Sequence, residues 1–187
     1  MIKKLKSRAG MTLIEMLASL IIVVLLAVGM NTGMTAGLRV YTEASSDARI
    51  SALASNINTA LTDILRYAEV REVTEGSETK YLITNLEYGL RDAYFGVEDG
   101  VIKIYFWTKN GILTGKTKAL VNSGYYYTSS SGSGSGNPPD FIVKEFAEIV
   151  PVEDERGVYF SIKYKVVNAA DETQSREVEA AVRSMSS

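Results

Sequence analysis

Residues 3–38 read KKLKSRAGMTLIEMLASLIIVVLLAVGMNTGMTAGL. Lys3, Lys4, Lys6 and Arg8 give way at Gly10 to an apolar run that carries one charge near its start, Glu15, and from Met16 to Leu38 there is no Asp, Glu, Lys or Arg. As a helix rising about 1.5 Å per residue, Met16–Leu38 measures roughly 34 Å, enough to cross the ~30 Å hydrocarbon core of a bilayer. An ionised carboxylate in hydrocarbon costs roughly 2.5–3.5 kcal/mol on insertion scales and is ordinarily paired or functional. The nearby apolar residues supply no cation. Cutting the peptide bond between Gly10 and Met11 would create one, the α-amino group of Met11.

Lys-Ser-Arg-Ala-Gly at 6–10, Met-Thr-Leu-Ile-Glu-Met-Leu at 11–17 and the apolar segment behind them closely resemble the prepilin leader of type IV pilins and of the pseudopilins of type II secretion and DNA-uptake machines. The resemblance implies a leader peptide over 1–10. It also implies a prepilin peptidase that cuts after Gly10 on the cytoplasmic side and methylates the amine of Met11. Glu15 would then neutralise the N-terminus of a neighbouring subunit as the helix leaves the membrane and joins a filament. The implied partners are other pilin or pseudopilin subunits, the prepilin peptidase and the assembly platform of the cytoplasmic membrane. The implied location is that membrane, crossed once with the N-terminus cytoplasmic, and afterwards an extracellular or periplasmic filament. The likeness ends near residue 40, so the remainder is read independently.

Other readings of the N-terminus compete. A secretory signal peptide has a basic region, an apolar core and small residues such as Ala27 and Gly29 near a cut, but its core usually spans only about 7–15 residues. A plain signal anchor, oriented by the basic residues on the cytoplasmic side, leaves Glu15 without a task. Glu15 could also lie at the interface and reach water. None of these accounts for Gly10, Thr12 and Glu15 at this spacing.

The 187 residues suffice for one domain plus the N-terminal helix. Net charge is −2, and loss of residues 1–10, with four basic and no acidic side chains, would take it to −6. That balance argues against a nucleic-acid surface, which relies on clustered Lys and Arg. With no Cys and no His in the chain, a disulfide framework, a thiolate or His-ligated zinc site and the Ser-His-Asp and Cys-His nucleophile pairs are excluded. The missing cysteines also depart from the C-terminal disulfide that many pilins of Gram-negative bacteria carry. No calcium loop, phosphate-cradling glycine motif or hydrolase elbow is present. The expectation is a non-enzymatic protein without a cofactor.

Beyond the apolar segment (11–38), Ile50, Leu53, Ala54, Ile57, Leu61, Ile64, Leu65 and Ala68 keep the three-and-four spacing of one helical face. No proline falls between 11 and 71, so one helix is expected to continue over 39–72. Gly29, Gly33 and Gly37 recur every fourth residue, the small-xxx-small pattern of closely packed membrane helices; glycine is also simply common in such helices. In the family part of this segment often unwinds near a proline, whereas here only the weak helix formers Gly29, Asn31, Thr32 and Gly33 are available.

From 73 to 187 the pattern changes to strands: Tyr81–Thr84, then Tyr94–Glu98 and Val101–Trp107 flanking the hairpin signal Asp99-Gly100, then Phe141–Val150. The clearest alternation is Val158, Phe160, Ile162, Tyr164 and Val166, with Arg176–Arg183 as its return strand. Residues 128–139, rich in Ser and Gly and ending in Pro138-Pro139, form a flexible loop that builds no core. Tyr125, Tyr126 and Tyr127 before it are read as closing a sheet edge, or alternatively as an exposed binding surface.

Together these give an α+β fold with a pilin-like architecture, a long N-terminal spine helix whose upper half packs on an antiparallel β-sheet head. The expected function is a structural subunit, minor rather than major, of a type IV pilus-like or pseudopilus filament. The alternative is a signal-anchored extracytoplasmic binding protein that does not polymerise. Deleting Ser129–Gly136 is expected to leave the melting temperature within about 2 °C of the parent in a thermal scan, because no apolar side chain is lost.

Overall fold

A computed structural model describes residues 12–75, 78–107, 117–128, 138–155 and 157–185. Helix α1 spans Leu13–Arg66 and is followed, among the described residues, by nine strands. The chain divides into two units, Met1–Ala44 and Ser45–Ser187, with α1 contributing to each. The leader expected over 1–10 lies outside the described residues, as do 129–137 of the flexible loop.

In the second unit, the helical face read from the three-and-four spacing is the buried one. Leu53, Ile57, Leu61 and Leu65 are each 0% exposed, and Ile50, Ala54, Ile64 and Ala68 are buried with them. Two antiparallel sheets cover this stripe where one was expected. The first is a meander in chain order: β1 (Glu69–Glu75), β2 (Glu78–Asn85), β3 (Leu90–Glu98), β4 (Val101–Phe106) and β5 (Thr117–Ala119). The second is built around β8 (Gly157–Asn168). One edge of β8 pairs with β9 (Ser175–Arg183), while the other is shared by β6 (Phe141–Lys144) near its end and β7 (Pro151–Asp154) near its start. Ile83, Ala93, Phe95, Ile102 and Ile104 from the first sheet and Phe141, Val143, Phe160, Ile162, Tyr164, Val166 and Val182 from the second join the helical stripe in one core. From Phe160 to Val166 the alternation read in β8 faces the core as expected, whereas Val158 at its start is half-buried.

The helix stops at Arg66, short of the expected 72, because its last carbonyls are claimed by other groups and the next residues pair as a strand. The amide of Asn85 donates to the carbonyl of Ile64 at 2.8 Å, and the Met185 N–H donates to the carbonyl of Arg66 at 2.6 Å. Helix ends need such partners when buried. Glu69–Glu75, with Val70 and Val73, then runs in full register along β2. The strand expected over Phe141–Val150 breaks after Lys144, where Glu145 takes a left-handed conformation with φ 53°, and β7 begins only at Pro151.

The tyrosine run meets neither expectation. Ser123–Tyr125 is a short 3₁₀ turn, which leaves Tyr125 exposed, Tyr127 half-buried and Tyr126 0% exposed. The Tyr126 hydroxyl accepts from the N–H of Ile102 at 3.3 Å, and burial pushes its pKa up to about 12. A second buried phenol, Tyr164, donates to the carbonyl of Ala54 at 2.7 Å and ties β8 to the helix. Burial pushes that phenol up as well.

Asp99-Gly100 forms the expected two-residue turn, with φ 54° and 75°, the pairing that a type I′ turn favours. This turn also joins the two sheets, since the Val143 N–H donates to the carbonyl of Gly100 at 2.7 Å. A Cβ at Gly100 would stand 2.5 Å from Ile142 Cγ2, whereas one at Gly89 (φ 67°) would meet nothing within 4 Å. Gly100→Ala is therefore expected to destabilise by more than about 2 kcal/mol, adding overpacking to the left-handed cost, and Gly89→Ala by only about 1 kcal/mol. Chemical denaturation of the two variants checks the difference.

Candidate functional site

The candidate site is the head of α1. Thr12 lies one residue before the helix, and its carbonyl accepts the first helical hydrogen bond from the Met16 N–H at 3.1 Å. The Glu15 N–H donates to Thr12 Oγ1 at 3.3 Å, and in return the Thr12 N–H donates to Glu15 Oε2 at 2.8 Å. The Thr12 hydroxyl donates to the same oxygen at 3.0 Å. This reciprocal pair is a capping box: two N–H groups that a helix start leaves without intrahelical partners are satisfied by the Thr and Glu side chains. Thr-x-x-Glu before an apolar run is its sequence signature, and the reading of Glu15 as an unexplained charge passed over it.

From Thr12 to Ala44 every residue is exposed, including Leu13 at 86%. One helix of the described residues is long and apolar enough to cross a membrane, and none of its apolar window is buried. Polar side chains in this segment turn back on the helix. Ser19, Thr32 and Thr35 donate to the carbonyls of Glu15, Val28 and Asn31 at 2.7, 2.9 and 2.9 Å. Back-bonding of this kind satisfies a hydroxyl where water is absent. Arg39, the first cation after the apolar run, pairs with Glu43 at 3.1 Å. Gly29, Gly33 and Gly37 lie inside α1, and a Cβ at any of them would meet nothing within 4 Å. None of the described residues packs on that glycine strip. Gly10 and Met11, the expected processing residues, lie outside the described residues.

The second unit contains a cleft of about 430 Å³ between β2–β3 and the connection 145–150. Its walls come from Tyr81, Phe95, Phe146 and Ile149, and Glu145 and Glu148 are exposed at its edge. Lys80, also on the cleft, has its Nζ 5.6 Å from the ring centre of Tyr94 and 5.8 Å from that of Trp107. Tyr94 in turn stacks on Tyr105 at 5.0 Å. Sequence reading had no means to find this hollow, because its lining joins β2–β3 to a segment more than forty residues further along the chain. Among the described residues no group of three or more carboxylates is placed to hold a metal.

No family model, curated protein or solved structure matches this chain.

The capping box makes Thr12 and Glu15 separable. Thr12→Ala is expected to cost about 0.5–2 kcal/mol at the helix start. Glu15→Gln, which retains an acceptor at that position, should cost less than Glu15→Val. Amide hydrogen exchange of residues 13–16 in detergent micelles would rank the three variants.

Proposed function

We propose that this chain is a structural subunit, minor rather than major, of a type IV pilus-like or pseudopilus filament, made as a single-pass membrane precursor and cut after Gly10. The observation that carries the reading is a long apolar helix segment, uncovered by any of the described residues and headed by a carboxylate. Lipid covers such a surface before assembly, and the corresponding helices of neighbouring subunits cover it afterwards. The compact two-sheet unit remains outside the membrane. The leader motif at 6–15 supports the same reading and supplies the amine that Glu15 would meet. Glu15 Oε2 is engaged by Thr12, while Oε1 has no hydrogen bond among the described residues and is left for a partner.

The capping box favours a second reading, a signal-anchored extracytoplasmic protein in which Glu15 only starts the helix. Energetics separate the two. A cap contributes about 0.5–2 kcal/mol, less than the roughly 2.5–3.5 kcal/mol that an intramembrane charge costs, so capping alone leaves part of the cost uncovered.

The test compares Glu15→Gln with Glu15→Val in the native cells. On the filament reading both variants insert and are processed normally, yet both fall about tenfold or more in the sheared surface fraction, because both lack the charge. Full recovery of Glu15→Gln would assign Glu15 to capping, and unchanged recovery of Glu15→Val would remove it from assembly.

A further inference from the structure

The cleft between β2–β3 and residues 145–150 combines features that a purely structural hollow does not need. Its lining is mixed: Tyr81, Phe95, Phe146 and Ile149 give it apolar and aromatic surface, and Lys80 lies on it as well. At its edge stand two exposed carboxylates, Glu145 and Glu148. Glu145 keeps a left-handed backbone at φ 53°, an uncommon conformation for a residue with a side chain that is tolerated where the surroundings hold it. The surroundings do hold it: the Ala147 N–H donates to the carbonyl of Lys163 at 2.8 Å, and Val143 and Ile149 on either side are buried in the core. Among the described residues Glu148 forms no ion pair, and two nearby cations have other contacts: Lys80 sits over the Tyr94 and Trp107 rings, and Lys163, which lies in electrostatic reach of Glu145, pairs with Glu177 at 3.3 Å.

We propose that this cleft is a docking site for a basic, apolar peptide segment of a partner protein, taking an arginine or lysine side chain against Glu145 and Glu148 and its apolar neighbours against the aromatic walls. A bare cation has no use for the apolar walls, and an uncharged apolar group would gain nothing from two carboxylates at the mouth. Arginine and lysine use both, since they lay an apolar stem along a hydrophobic wall and keep the charged head in water, and aromatic faces attract cations. The volume of about 430 Å³ falls in the range of ligand pockets. The acidic balance of the chain adds long-range attraction for such a segment. The cleft belongs wholly to the second unit, so its occupancy stands or falls apart from the fate of the apolar helix.

Trp107 is the chain's one tryptophan, and its ring centre lies 5.8 Å from the Nζ of Lys80, a residue that lines the cleft, so its emission reports on the cleft through Lys80. Full-length protein in detergent micelles is titrated with acetyl-Leu-Arg-Leu-amide and with the same peptide carrying citrulline, the neutral isostere of arginine. The arginine peptide should saturate the Trp107 change with an affinity about five- to tenfold above that of the citrulline peptide, at the upper end of what two exposed charge pairs give. The double variant Glu145→Gln/Glu148→Gln, with both side chains on the surface, should melt as the parent does and lose that preference. Equal binding of the two peptides, an unchanged preference in the double variant, or no saturable Trp107 change at millimolar peptide would overturn the proposal.

Discussion

Helix α1 must be covered twice, by different things, and the rest of the structure depends on that constraint. Over Ser45–Arg66 it is apolar on one stripe, and two sheets supply the cover from within the chain. Over Met16–Leu38 it carries no charge and every residue is exposed, so none of the described residues covers it. Exposing that surface to water would forfeit about 25 cal/mol for each Å² of apolar area, far more than the marginal stability of a domain this size. The first half of the helix is long and apolar enough to cross a membrane, and lipid or other apolar surface would cover it.

The sheet-covered half explains the arrangement of the strands. Tyr164 and Asn85, from different sheets, each hydrogen-bond a helix carbonyl, one along the stripe and one at its end. The Asp99-Gly100 turn then links the sheets through Val143. Buried polar groups in this unit do two jobs at once, meeting their own hydrogen-bonding needs and fixing how the layers meet.

What the sequence showed and what it hid follow from the range of the interactions. The stripe from Ile50 to Ala68, the Asp99-Gly100 turn and the alternation from Val158 to Val166 are local patterns set by one element's period, and they were legible. The helix end at Arg66 depends on Asn85 and Met185, and the separation of β6 from β7 along β8 depends on Glu145 breaking the strand after Lys144; neither is a local signal. Tyr126 is buried because of a hydrogen bond to Ile102, which adjacent tyrosines cannot announce. The capping box was legible in Thr12-Leu-Ile-Glu15 but was masked by the stronger question of a charge beside hydrocarbon. Residues that line the 430 Å³ cleft meet only in the folded unit.

The account rests on Glu15 facing an amine made by processing, so the mass of the mature N-terminus tests it most directly. Intact-mass and N-terminal peptide mass spectrometry on protein from native membranes or the sheared surface fraction is predicted to find a chain starting at N-methylated Met11. A chain retaining Met1, or one starting near Asn31 as after ordinary secretion, would contradict it.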